Sequence, residues 1–149
     1  MREISTDRMI EAPPPVVWNV LADLESYAKW NPHVTDAIGT LREGEELQIE
    51  VQPTGSRSRQ VTVTVTDVES PRRLEWVGSV PFSWLFEGRH VFYLEPIDGG
   101  RTRFFNCERL SGLLVPFVVD EDAHEGYESM NEALAWRAEE RFARVGGGV

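Results

Sequence analysis

Period-two alternation of apolar and polar residues carries most of this chain. From Glu3 to Glu11, Ile4, Thr6, Arg8 and Ile10 alternate with Ser5, Asp7 and Met9, as in a strand. Ala12 and the prolines at 13 to 15 stop it. Proline suits a first helical turn, because its missing N–H would have no intrahelical partner anyway. Val17, Val20 and Leu21, flanked by Trp18, predict a helix of about two turns. A second short helix is expected over Leu24 to Lys29, ending before Trp30-Asn31-Pro32.

Strand patterns follow at Val34–Ile38, Glu46–Gln52 and Gln60–Val68, the last with Val61, Val63 and Val65 on one face and threonines 62, 64 and 66 on the other. Pro53-Thr54-Gly55-Ser56 is a turn between the second and third of these. After the Ser70-Pro71 break, Arg73–Val77 turns Leu74 and Trp76 inward, and Glu87–Glu95 and Arg101–Leu110 complete seven strands. The period then changes. Ala123, Tyr127, Met130, Leu134, Ala138 and Phe142 recur every three or four residues, the stripe of a long amphipathic helix. Asp120, Glu121 and Asp122 crowd its first turn and Arg137, Arg141 and Arg144 its end, which suits the helix dipole. Gly146-Gly147-Gly148 is expected to end it, leaving one domain over 1–145 and a flexible tail over 146–149.

An apolar sheet face and an apolar helix stripe must cover one another, so the class is α+β in two layers. A cavity is expected where sheet and helix diverge.

The last two strands hold the candidate chemistry. Asp98-Gly99-Gly100 suits a three-residue loop, whose final position favours glycine. That loop pairs Ile97 with Arg101, and hence Leu94 with Phe104, Phe92 with Asn106 and His90 with Glu108 on the inward face. Tyr93 and Phe105 pair on the other face. Glu95 opposite Arg103 favours this register, whereas Arg89 opposite Arg109 opposes it unless acids such as Glu87 lie nearby. A two-residue turn would separate His90 from Glu108. In the three-residue register Glu108 accepts a hydrogen bond from His90 and its charge favours imidazolium. The pair is then a candidate for general acid–base chemistry, with Asn106 fixing a ligand carbonyl or hydroxyl. The bland reading is that the three polar groups satisfy one another, or take bonds from the helix, as a structural polar network.

Composition narrows the classes. Hydrophobic residues make up 41% and charged residues 27% of 149, an ordinary balance for a globular domain. A formal charge of -10 argues against nucleic-acid binding, which rests on neutralising phosphates. No apolar run approaches the roughly 20 residues of a membrane span, and Met1-Arg2-Glu3 opens without an apolar signal core, so a cytoplasmic location is expected. Cys107 is the only cysteine, and His33 and His124 lie remote in pattern from His90, so no metal or other cofactor is expected. Trp30, Trp76, Trp84, Phe92, Phe104 and Tyr127 are candidates for an apolar cavity wall, although aromatics at such spacings are commonly plain core. Trp18 and Trp136 read as packing or surface residues. Pro81 to Phe86 reads as a lid over the cavity mouth, with Leu110 to Phe117 as the facing rim; a membrane or hydrophobic-partner patch is the rival reading.

Two segments carry a family resemblance. Ala12-Pro13-Pro14-Pro15-Val16-Val17-Trp18, followed by Leu24-Glu25-Ser26-Tyr27-Ala28-Lys29-Trp30-Asn31-Pro32, resembles the entry to the polyketide cyclase/dehydrase and lipid-transport superfamily (SRPBCC, START-like). The likeness extends through His90 and the Thr102–Glu108 strand to the closing helix. It implies the helix-grip fold: a seven-stranded curved antiparallel sheet wrapped around a long C-terminal helix, with two short helices after the first strand. It also implies a hydrophobic cavity, with Trp30 and Asn31 beside it or bracing the second small helix. No complete cyclase catalytic set matches. Three functions stay open: a carrier of a small hydrophobic, lipid-like or aromatic molecule; a cyclase, dehydratase or aromatase using His90 and Glu108; and an interaction domain using Tyr93 and Phe105. A monomer or homodimer is expected.

Overall fold

The computed structural model describes residues 1–53, 55, 57–80, 82, 84–118 and 123–147, with side chains except at 80, 117 and 118. Strand β1 (Arg2–Ile10) leads into helix α1 (Pro14–Ala22), a 3-10 turn (Leu24–Ser26) and helix α2 (Tyr27–Trp30). Strands β2 (Val34–Ile38), β3 (Glu46–Val51), β4 (Arg59–Glu69), β5 (Arg73–Val80), β6 (Phe86–Ile97) and β7 (Arg101–Ser111) follow, then helices α3 (Val115–Val118) and α4 (Ala123–Gly147). The sheet is antiparallel throughout, in the order β1-β7-β6-β5-β4-β3-β2.

The seven strands and the closing helix stand where alternation and periodicity place them. Helix α3 has no counterpart in that reading. Helix α4 runs on to Gly147 rather than stopping before the glycine run. The expected acidic first turn over 120–122 lies outside the described residues. Irregularities between Val34 and Asp36 and between Val65 and Asp67 shift the strand register, and such bulges bend a sheet. Tyr127, Met130, Asn131, Leu134, Ala135 and Ala138 of α4 are buried, but Phe142 is exposed. The apolar stripe therefore ends one turn sooner than the periodicity implies.

The β6–β7 register is that of the three-residue loop: Ile97 pairs Arg101, Phe92 pairs Asn106 and His90 pairs Glu108. Arg89 does stand opposite Arg109. Glu75 rather than Glu87 relieves it, since Arg89 Nη1 lies 2.6 Å from Glu75 Oε1, while Arg109 lies 3.8 Å from Glu3. Arg103 turns away from Glu95 to Asp7, 2.9 Å distant on β1. Pro96 interrupts no ladder. Leu94 N–H donates to Arg72 O, so the Pro96 nitrogen, two residues on, faces the side where β5 has already ended.

Pairings across five strands arrange inward residues in rows. One row is Val68, Leu74, Phe92, Asn106 and Thr6; the next is Val65, Trp76, His90, Glu108 and Ile4. A third runs Val63, Gly78, Gly88 and Leu110. The first row is solid core around Phe92, Phe104 and Met130. The third has two facing glycines where side chains would otherwise fill the space.

Candidate functional site: a cavity between sheet and helix

A cavity of about 560 Å³ opens beside those glycines, within the size range of small-molecule sites. Ile49, Val51, Val61, Val63, Trp76, Phe86, Leu110 and Leu114 contribute its apolar wall, and Ala123, Gly126 and Tyr127 close it from α4. Arg59, Gln60, Thr62 and Ser79 line it while remaining exposed, which marks the mouth. His33, His90 and Glu108 are its buried or part-buried titratable lining.

His90 is held from behind. Its Nε2–H donates to Asn106 Oδ1 at 2.5 Å, Asn106 Nδ2 donates to Asn131 Oδ1 at 2.9 Å, and Asn131 Nδ2 donates to Thr6 Oγ1 at 2.9 Å. Thr6 Oγ1 in turn donates to the Asn106 carbonyl at 2.8 Å. All four residues are buried. The imidazole stacks on Phe92 at 4.4 Å and meets the Tyr127 edge at 5.2 Å.

Glu108 lies near His90, with Oε2 3.7 Å from Nδ1. That is beyond a hydrogen bond, and the expected direct bond is not made. Nor is imidazolium favoured. Burial lowers the His90 pKa to about 4 against the opposing effect of the Asn106 bond, and His33 lowers it further. Burial raises Glu108 to about 7, with Arg59 acting weakly the other way. Desolvation thus dominates both groups, and a neutral histidine beside a protonated carboxyl is the ground state between about pH 4 and pH 7. Gly88 makes room for this carboxyl: a β-carbon there would stand 2.8 Å from Glu108 Oε1.

His33 was remote only in sequence. Asn31 Oδ1 accepts from the His33 and Val34 backbone N–H groups, both at 2.9 Å, an Asx turn just after α2 that leads the chain into β2. Its ring meets the other edge contact of Tyr127 at 4.9 Å. Burial lowers its pKa to about 4, opposed by a hydrogen bond to the Gln52 backbone, and Nδ1 has no hydrogen-bond partner among the described residues. Two histidines therefore flank one tyrosine ring at the cavity wall. His124 is exposed.

The other expected wall residues divide. Trp76 and Tyr127 line the cavity. Phe92, Phe104 and Asn106 are fully buried behind it, Phe92 and Asn106 in the first row and Phe104 opposite Leu94, nearer the hairpin loop. Trp30, half-buried against the core, lines a separate surface groove with Arg8, Lys29, Trp136 and Arg137. Trp84, 61% exposed, stacks on exposed Phe82 and does not line the cavity. Pro81 and Ser83 of the expected lid lie outside the described residues, as does the Phe117 side chain. The lid's backbone is nonetheless tied to the facing rim, through Leu113 N–H to Trp84 O at 3.1 Å and Leu114 N–H to Leu85 O at 2.9 Å. Leu114 and Phe86 from these segments do reach the cavity. Alternation could have revealed Gly78 and Gly88, since both fall at inward positions of apolar strands. Nothing in the pattern marks His33.

A curved antiparallel sheet closed over its C-terminal helix, with a cavity between them, defines a helix-grip protein. The chain belongs to the polyketide cyclase / dehydrase and lipid transport family, whose model matches residues 1–139, within the SRPBCC/START-like superfamily. Similar solved structures include a protein from Thermus thermophilus (20% identity, 94% of this chain and 99% of that one, TM-score 0.72). The ZhuI aromatase/cyclase from Streptomyces sp. R1128 is 22% identical over 99% of both chains, with a TM-score of 0.70. A START superfamily protein from Mycobacterium smegmatis is 17% identical over 96% of this chain and 98% of that one, with a TM-score of 0.68. At these identities the likeness is one of fold. No curated protein sequence matches the chain. Among the described residues, no helix is long and apolar enough to cross a membrane.

Proposed function

We propose that the protein binds a small hydrophobic molecule, lipid-like or aromatic, in the cavity between sheet and helix. The observation that carries this reading is a cavity of about 560 Å³ with a largely apolar wall and a few convergent polar groups. Family membership supports the same class of ligand. The direct test is native mass spectrometry of freshly purified protein, together with titration by an apolar fluorescent probe. Val61→Trp, which fills the cavity from β4, should abolish probe binding while leaving the far-ultraviolet circular dichroism intact. Equal binding by the filled variant would place the probe elsewhere and sink the proposal.

One observation favours a second reading, catalysis of a proton transfer. A carboxyl with its pKa raised to about 7 lines a ligand-sized cavity, which is the state a general acid needs near neutrality. On this reading Glu108 is the acid, and His90 is the acceptor it faces. Turnover of a ketide-like substrate that disappears in Glu108→Gln while binding persists would support it. Binding without turnover would leave the carrier.

A further inference from the structure

The network behind His90 has a direction. The Asn106 carbonyl can only accept, so the Thr6 hydroxyl spends its one proton there and must accept from Asn131 Nδ2. That orients the Asn131 amide, whose oxygen then accepts from Asn106 Nδ2. Asn106 is left presenting its oxygen to His90, so Nε2 carries the imidazole proton. Nδ1 is therefore a bare lone pair. It lies 3.7 Å from Glu108 Oε2, whose carboxyl has no other ion-pair partner among the described residues. The two atoms are too far apart to bond directly. One oxygen can still sit about 2.8 Å from both, a normal hydrogen-bond length.

We infer that this end of the cavity recognises the hydroxyl of a neutral apolar ligand, a phenol or ring alcohol, which donates to His90 Nδ1 and accepts from the Glu108 carboxyl. The inference rests on the ligand-binding reading above and sharpens it. Thr6, Asn131 and Asn106 are positioning residues: they touch no ligand, and they fix which ring nitrogen accepts. A carboxylate ligand fits poorly, having no proton for Nδ1 and adding a charge to a desolvated place. A plain hydrocarbon leaves both polar groups unpaired.

The test compares 2-naphthol, naphthalene and 2-naphthoate binding to the intact protein at pH 6 by calorimetry. The naphthol should bind about tenfold more tightly than naphthalene, the worth of one or two buried hydrogen bonds, and also more tightly than the naphthoate. Glu108→Leu should erase that advantage while naphthalene still binds, and Glu108→Gln should keep part of it. Naphthalene binding as well as naphthol would overturn the inference and leave the apolar cavity standing. Failure of all three probes would remove the cavity reading and the inference with it. Nitrogen-15 NMR of the wild-type imidazole adds a readout independent of ligand. Protonated Nε2 with bare Nδ1 is expected, with a tautomer mixture in Asn131→Ala. A wild-type ring protonated at Nδ1 would overturn the assignment.

Discussion

A β-carbon on Gly126 would stand 2.6 Å from His33 Nδ1, so the first turn of α4 and the loop after α2 fit together through a missing methyl group. Replacing glycine by alanine within a helix ordinarily stabilises by up to about 1 kcal/mol. Here the imidazole is held by Tyr127 and by the Gln52 backbone, contacts it would lose on withdrawing. Gly126→Ala should therefore destabilise, by about 1–3 kcal/mol, as overpacking does. Adding His33→Ala should recover the helix-propensity gain, giving a strong coupling in a urea-unfolding double-mutant cycle. A Gly126→Ala protein more stable than wild type would mean the ring is free to move.

The raised pKa of Glu108 and the lowered pKa of the two histidines act on stability with opposite signs. Glu108 rises from 4.5 to about 7 in the folded protein, so its contribution is fully present below pH 4.5 and is lost as pH rises through 7. His33 and His90 fall from 6.5 to about 4, so their contribution is present above pH 6.5 and is lost as pH falls through 4. Between these limits the carboxyl offsets one histidine. Glu108→Gln removes the group that costs stability as pH rises. Relative to wild type it should gain on the order of 2 kcal/mol between pH 5 and pH 7.5, measured by urea unfolding at both. A pH-independent difference would show that Glu108 titrates normally.

The inward residues of the last hairpin were legible because one local feature governs them. Asp98-Gly99-Gly100 sets the loop length, and the period of two then places His90, Asn106 and Glu108 on one face without further information. What they do there was not legible. His90 turns its Nε2 toward Asn106, and Asn106 is held by Asn131, a residue of the long helix whose partner no spacing in the sequence reveals. Burial then decides the charge states, and burial belongs to the assembled layers. Trp30 and Trp84 show the same limit. Trp30 ends a four-residue helix and Trp84 sits in a short connection, where a turn of the backbone decides between cavity and surface. Neither alternation nor helical period extends far enough there to fix which.

The Thr6–Asn131–Asn106–His90 network should be expensive to break singly. Asn106→Leu keeps the volume but orphans the His90 Nε2–H and the Asn131 oxygen inside the core. Each buried group left unpaired costs about 1–3 kcal/mol, so the variant, which strands two, should lose about 2–6 kcal/mol in urea unfolding. The double variant Asn106→Leu with Asn131→Leu should cost less than the sum of the two single changes, since the second removes a group the first has already stranded. Additive losses would indicate that the two amides act independently.

Only one of the five tryptophans lines the cavity, and this permits a clean test of where a ligand sits. Trp76 forms part of the wall, in edge contact with Phe92 at 5.2 Å and 6.0 Å from the His90 ring. Trp18 is packed in the core on α1, Trp30 and Trp136 share the surface groove, and Trp84 is exposed at the rim. A brominated naphthalene, quenching by heavy-atom contact, should dim only the tryptophan it touches. Wild-type emission should therefore fall by a minor, saturable fraction. Trp76→Phe should abolish that saturable part, while Trp30→Phe and Trp84→Phe should retain it. Phenylalanine keeps an aromatic wall, so the quencher's affinity, read by calorimetry, should change little in Trp76→Phe. Saturable quenching that survives in Trp76→Phe and vanishes in Trp30→Phe would move the binding site to the outer groove.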